Sequence, residues 1–158
     1  SYLCTRKQLH TMALLKLNKN ELINYQLIGI ETSLPDYKLA YKLNQKLHIQ
    51  LAKHKDYEPL IATNHQYHSY YTWQDPATDL KWHCISNKML IEGTPNQLFG
   101  IECLIDKYKT IDYFLKIDTL DTDLCNANTI MQQLMPLKCK IIDPNKLNLK
   151  HNYIFQEC

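Results

Sequence analysis

The chain has 158 residues, 45% of them hydrophobic and 22% charged, a size and mix that suit one globular domain with a core of its own. Its 18 basic and 16 acidic residues leave a net charge of +2, and Arg6 is its single arginine. Phosphate and guanine recognition leans on a basic footprint and arginine forks, so nucleic acid is allowed as a partner but not favoured.

Residues 1–11, SYLCTRKQLHT, show no periodic apolar pattern and read as a non-native or disordered extension before a start at Met12. Residues 12–158 then form a single α+β domain. The alternative for the first stretch is a targeting segment with Arg6 and Lys7 as its basic end. MALLKL, however, is short and broken by Lys16, and no small-residue cleavage pattern follows. No apolar run approaches the length of a membrane-spanning helix, so no membrane association is expected and the expected location is the cytoplasm. Cys4, Cys84, Cys103, Cys125, Cys139 and Cys158 are scattered without a CxxC pair and read as reduced, mostly buried thiols.

YQLIGIET (25–32) is an apolar run of strand length. It leads into SLPDYKLAYKLNQKL (33–47), where Ser33 and Asp36 suggest an N-terminal box and Pro35 suits a first turn. Leu39, Ala40, Leu43 and Leu47 share one face of this predicted helix. Lys38, Lys42 and Lys46 form a solvated stripe, and Tyr37, Tyr41, Asn44 and His48 make an amphipathic rim. A strand is expected over 48–53. SYYTWQD (69–75) and LKWHCIS (80–86) then read as a hairpin joined by PATD.

KMLIE (88–92) extends that hairpin or forms another strand before the GTPN turn, and LFGIECLIDKY (98–108) has no clear period. IDYFLKI (111–117) alternates: Ile111, Tyr113, Leu115 and Ile117 face the core, while Asp112, Phe114 and Lys116 face water. DTDLCNANTIMQQLM (121–135) predicts a helix capped by Asp121 or Asp123, with Leu124, Ala127, Met131 and Leu134 on one face and Pro136 closing it. KCKIID (138–143) and HNYIF (151–155) read as strands. The order gives two β-α-β halves around antiparallel strands. The expected fold is α+β, an antiparallel sheet with two main helices packed on one face, in a ferredoxin-like or ACT-like arrangement.

Chemistry-bearing patterns are sparse. His65 and His68 have an HxxH spacing, with His54 upstream and His83-Cys84 downstream, but they sit in a polar, tyrosine-rich stretch and not on an HExxH helix. No metal ligand and no cofactor is assigned from them. There is no GxSxG, no P-loop and no GxGxxG, and the acids Asp112, Asp118, Asp121 and Asp123 read as solvated or capping groups, so no catalytic residue is assigned and no enzyme is expected. Tyr70, Tyr71, Trp73 and Trp82 are the candidate interaction surface. They could stack nucleic-acid bases, yet Lys81 is the single lysine within 57–82, and cross-strand aromatic pairing or a protein-facing patch fits better.

Two stretches together, LIGIETSLPDYKLAYKLNQKL (27–47) and CLIDKYKTIDYFLKI (103–117), resemble the small bacterial family named for its IPExxxVDY signature. Ile105, Ile111, Asp112 and Tyr113 fit the signature, whereas its Pro and Glu positions hold Asp106 and Lys107, so no site residue is carried over. The resemblance runs from Met12 onward in length and order, and it implies a cytoplasmic bacterial protein with no particular activity. The expected function is a non-catalytic module that binds a protein partner or itself; the alternative is an RNA- or ribosome-associated protein.

Overall fold

The computed structural model describes residues 23–54, 68–92, 99–156 and 158; the extension over 1–11, the start at Met12, His65 and the GTPN turn lie outside the described residues. The class is the expected α+β on an antiparallel sheet. Strand β1 (Gln26–Glu31) leads to helix α1 (Asp36–Leu47), a short β2 (Ala52–Lys53), and the hairpin of β3 (Tyr70–Gln74) and β4 (Lys81–Ser86). A second pair, β5 (Lys88–Glu92) and β6 (Phe99–Cys103), precedes β7 (Tyr113–Ile117), helix α2 (Ala127–Leu134), β8 (Lys138–Ile142) and helix α3 (Leu149–Gln156). The main sheet runs β2-β3-β4-β7-β1-β8 with all neighbours antiparallel, and β5 and β6 form a separate ribbon. Leaving out β2 and β3 at one edge, the order β8-β1-β7-β4 is the 4-1-3-2 pattern of a ferredoxin-like sheet.

Helices α1 and α2 share one face of this sheet. Leu39, Ala40 and Leu43 of α1 and Ala127, Ile130 and Leu134 of α2 recur at helical spacing, and all are buried. All but Ala40 meet Ile28 and Ile30 of β1, Trp82 and Cys84 of β4, and Leu115 and Ile117 of β7 in one core. Each large aliphatic side chain buried there stabilises the fold by about 1.5–3 kcal/mol.

The helix ends differ from the reading of the sequence. Ser33 is exposed and forms no box; Pro35 takes the cap position, and the Asp36 carboxylate accepts the amide of Tyr37 and reaches Ser69 and Lys53 instead. Starting two residues late takes Ser33 out of reach of the first turn. His48 closes α1 in the left-handed region at φ 55°, with its N–H on the Asn44 carbonyl, so the strand expected over 48–53 shrinks to Ala52–Lys53. Asn126, not Asp121 or Asp123, caps α2 by accepting the amide of Asn128, and Leu124 is left outside the helix and exposed.

The opposite face of the sheet is where the largest correction falls. HNYIF is not a strand: it lies in α3, started by the Asn148 side chain, which accepts the amide of His151. This short helix packs Phe155 on Phe114 at 5.2 Å between ring centroids, and Tyr25, Leu27, Ile85, Ile142 and Leu147 complete a second core. Phe114 and Lys116, expected to face water, are therefore buried. Ile111 also belongs to this second core, because β7 begins only at Tyr113. It lies against β1 at Gly29, where a Cβ would come within 2.7 Å of its Cδ1.

Candidate functional site

The four aromatics of the hairpin do not form one surface. Trp73 and Trp82 oppose each other across β3 and β4, and with Tyr71 they pack against the core beneath α1 and α2. Tyr70 points to the other face, and both Tyr70 and Trp82 are only 8% exposed. Strand alternation splits the run between two cores, which is a correction to the candidate surface of Tyr70, Tyr71, Trp73 and Trp82.

What the register does assemble is a polar row across the face that carries α3. Thr72 lies opposite His83, and His83 lies opposite Lys116. Asp118 follows at the end of β7, its amide donating to the Lys81 carbonyl. The His83 Nε2 is 2.8 Å from Asp118 Oδ2. A carboxylate only accepts, so this nitrogen carries the proton and Nδ1 is left to accept the Tyr70 hydroxyl at 2.7 Å. Lys116 Nζ sits 2.7 Å from Asp118 Oδ1 and 5.4 Å from the centre of the Tyr25 ring. Tyr25 in turn donates to Asn152 of α3 at 2.7 Å.

Protonation within the row follows from burial and neighbours. Burial lowers the pKa of His83 below its ordinary value, more than the hydrogen bond to Asp118 raises it, so the imidazole is neutral at pH 7. For Asp118 burial loses: it raises the pKa, but the bond from His83 and the charge of Lys116 together hold the carboxyl below the usual range. Burial pushes the Tyr70 hydroxyl up to about 12, so it keeps its proton.

A cleft of about 360 Å³ opens at the Asp118 end of this row. Asp118 and Lys116 reach its wall from β7, Asp79 and Lys81 from the β3–β4 side, Asn24 from the approach to β1, Gln156 from α3 and Cys158 from just beyond α3. His83 and Tyr70 lie behind them. The chain Tyr70–His83–Asp118 thus runs from the interior to the cleft, where Lys116 and Asp118 can bind charged groups.

The remaining candidates serve the fold. His68 is buried with Nδ1 on the Ser86 carbonyl at 2.9 Å, and its Nε2 has no partner among the described residues. Among the described residues no group of three or more His, Cys, Asp or Glu could hold a metal ion. Ile105 and Ile111 are in the second core; Asp112 accepts the Thr32 amide at 2.8 Å and pairs with Lys88 at 2.8 Å; Tyr113 donates to the Leu34 carbonyl at 2.8 Å. Asp112 is thus a tie between strand ends, not a free acid. Asn87, fully buried, donates to the Tyr108 and Ile111 carbonyls and accepts the Ile105 amide, which clamps the root of the β5–β6 ribbon. No membrane-length apolar helix occurs among the described residues.

Comparison with protein-family models, curated proteins and solved structures finds no match for the chain. Reading the sequence placed Lys116 in water and weighed His83 only as a neighbour of the HxxH pair, and so missed the row that they form. Their one visible signal is a lysine inside an otherwise apolar strand; that it meets a histidine is a matter of register, which composition does not carry.

Proposed function

We propose that this chain is a non-catalytic binding module that associates with a protein, in the first place a second copy of itself, through the β5–β6 ribbon. The observation that carries this reading is that, among the described residues, the ribbon pairs with no other strand. KMLIE and FGIEC pair with each other outside the main sheet, and Ile101 is 65% exposed. A lone two-stranded ribbon is marginal in water, and an apolar one invites a covering surface or another strand. The structural duties of Ile105, Ile111, Asp112 and Tyr113 add support: in a chain akin to the IPExxxVDY family, the signature would maintain the fold and not a reaction centre. Cys84, Cys103, Cys125 and Cys139 are free thiols, which suits a reducing cytoplasm.

The test is light scattering with sedimentation on the full chain and on Ile101→Lys. The expected result is a concentration-dependent oligomer that the variant loses while keeping its melting temperature. A wild type that is monomeric at every concentration overturns the reading of self-association.

An RNA-associated role is the second reading, favoured by one feature. Lys107 and Lys140 place their ammonium groups 5.6 and 5.3 Å from the Tyr108 ring, and Lys107 also reaches the Lys146 carbonyl. An aromatic ring flanked by lysines can serve single-stranded RNA, and such binding must weaken steeply with salt.

A further inference from the structure

We infer that the cleft at the Asp118 end of the second face is a binding site for a small zwitterion, a molecule that carries an ammonium and a carboxylate on one short skeleton. This goes beyond association through the ribbon, and neither depends on the other. The starting point is Lys116. It is 2% exposed, yet it reaches the cleft wall, and its ammonium has one Asp118 oxygen and the face of Tyr25 for partners. A buried ammonium has three hydrogens to place, and leaving any unsatisfied is costly. A carboxylate arriving from the cleft would take that remaining capacity.

The other walls decide the rest of the ligand. Among the side chains of the lining, Lys81 and Lys116 supply two positive charges and Asp79 and Asp118 two negative ones, with Cys158 beside Gln156 and a neutral His83 behind them. The site is balanced, so a dianion such as phosphate would meet two carboxylates, and a metal cation would meet two ammonium groups. A molecule carrying both signs can satisfy both walls at once, and the amides of Asn24 and Gln156 can add orienting bonds. The volume, about 360 Å³, suits a ligand of amino-acid size. Asp79 itself sits in the left-handed region at φ 63°, a conformation in which Asp and Asn are both tolerated. That makes Asp79→Asn a charge change without a backbone change.

The experiment is calorimetric titration and thermal shift on the full chain with the standard free α-amino acids. For each that binds, the controls are the matching acid without its amine, the matching amine without its carboxylate, and inorganic phosphate. At least one amino acid is expected to bind and raise the melting temperature, with each single-charge control weaker by about tenfold or more. Asp79→Asn and Lys81→Gln, both at exposed positions, are expected to weaken binding by about tenfold while leaving the unliganded melting temperature unchanged. The inference is overturned if no amino acid in the set binds, if phosphate or a single-charge control binds as well as the zwitterion, or if both variants bind like wild type.

Discussion

The two faces of the sheet solve the same problem with different materials. The face under α1 and α2 is aliphatic and aromatic throughout, with Ile28, Ile30, Leu115 and Ile117 meeting two helical stripes. The face under α3 is dry only where that short helix reaches; beyond it the strands carry Thr72, His83 and Lys116 in a hydrogen-bonded row that ends in a cleft. One face can be made only of apolar groups because two helices cover it. The other, half covered, must satisfy whatever polar groups it buries, and that is where a site can form.

The largest expected effect tests whether the second face is a core at all. Phe114 packs on Phe155 and, at 6.3 Å, edge-on to Tyr108. Phe114→Ala should cost about 3–5 kcal/mol, as much as Leu43→Ala on the helix face at about 2–5 kcal/mol. Denaturant unfolding of both variants checks it. If Phe114→Ala were nearly neutral while Leu43→Ala was not, α3 would not be docked and the face would be wet.

Next comes the polar row. Asp118→Ala leaves the buried Lys116 and His83 without their shared acceptor, and it should cost about 2–3 kcal/mol, toned down by the partial exposure of Asp118. The double variant Asp118→Ala, Lys116→Met removes both charges and should recover part of that loss. A double variant whose cost is simply the sum of the two singles would mean that the ion pair is not coupled.

How far this contrast could be read from the sequence depends on which face is asked. Leu39, Ala40 and Leu43 carry the 3.6 period openly, and Tyr113, Leu115 and Ile117 carry the period of two, so the helix face and the ferredoxin-like order were legible. The second face was not. Phe114 and Lys116 have the alternation of a wet side, and only a helix arriving from residues 149–156 turns that side into an interior. That helix hides in turn, because Asn152, Tyr153, Ile154 and Phe155 are buried in succession and show no helical stripe. The cleft was least legible of all, since its residues come from strand ends, a turn and the end of α3, which only the tertiary fold brings together.

A smaller effect sharpens the same contrast through pH. The pKa of His83 is below its ordinary 6.5 in the folded chain, so between the two values the unfolded chain binds more protons and stability rises with pH. Its contribution is full above about 6.5 and is lost as pH falls through the lowered value. Asp118 adds a further loss only at more acid pH, as its own lowered pKa is crossed. His68 and His151 are lowered by burial in the same way. The fall in melting temperature from about pH 7.5 to about pH 5.5 should therefore be reduced, but not abolished, in His83→Gln. An unchanged slope would mean that the imidazole is not kept neutral by the row.

The smallest expected effect lies at the edge of the helix face and decides where that face stops. By spacing alone, Leu124 belongs to the stripe of Ala127, Met131 and Leu134. In the structure α2 begins only after its cap at Asn126, so Leu124 falls on the preceding turn and is 54% exposed. Gln26 supports this start from β1, accepting the Ala127 amide at 3.2 Å and donating to the Cys125 carbonyl at 2.8 Å. Leu124→Ala should then change stability by less than about 0.5 kcal/mol, as surface substitutions do, whereas Ile130→Ala one turn into the helix should cost about 2–5 kcal/mol. Equal losses at both positions would extend α2 back through Leu124 and break the cap. A loss at Ile130 alone keeps the helix face bounded by Asn126, with the strand end at Asp118 left open to the cleft on the other side.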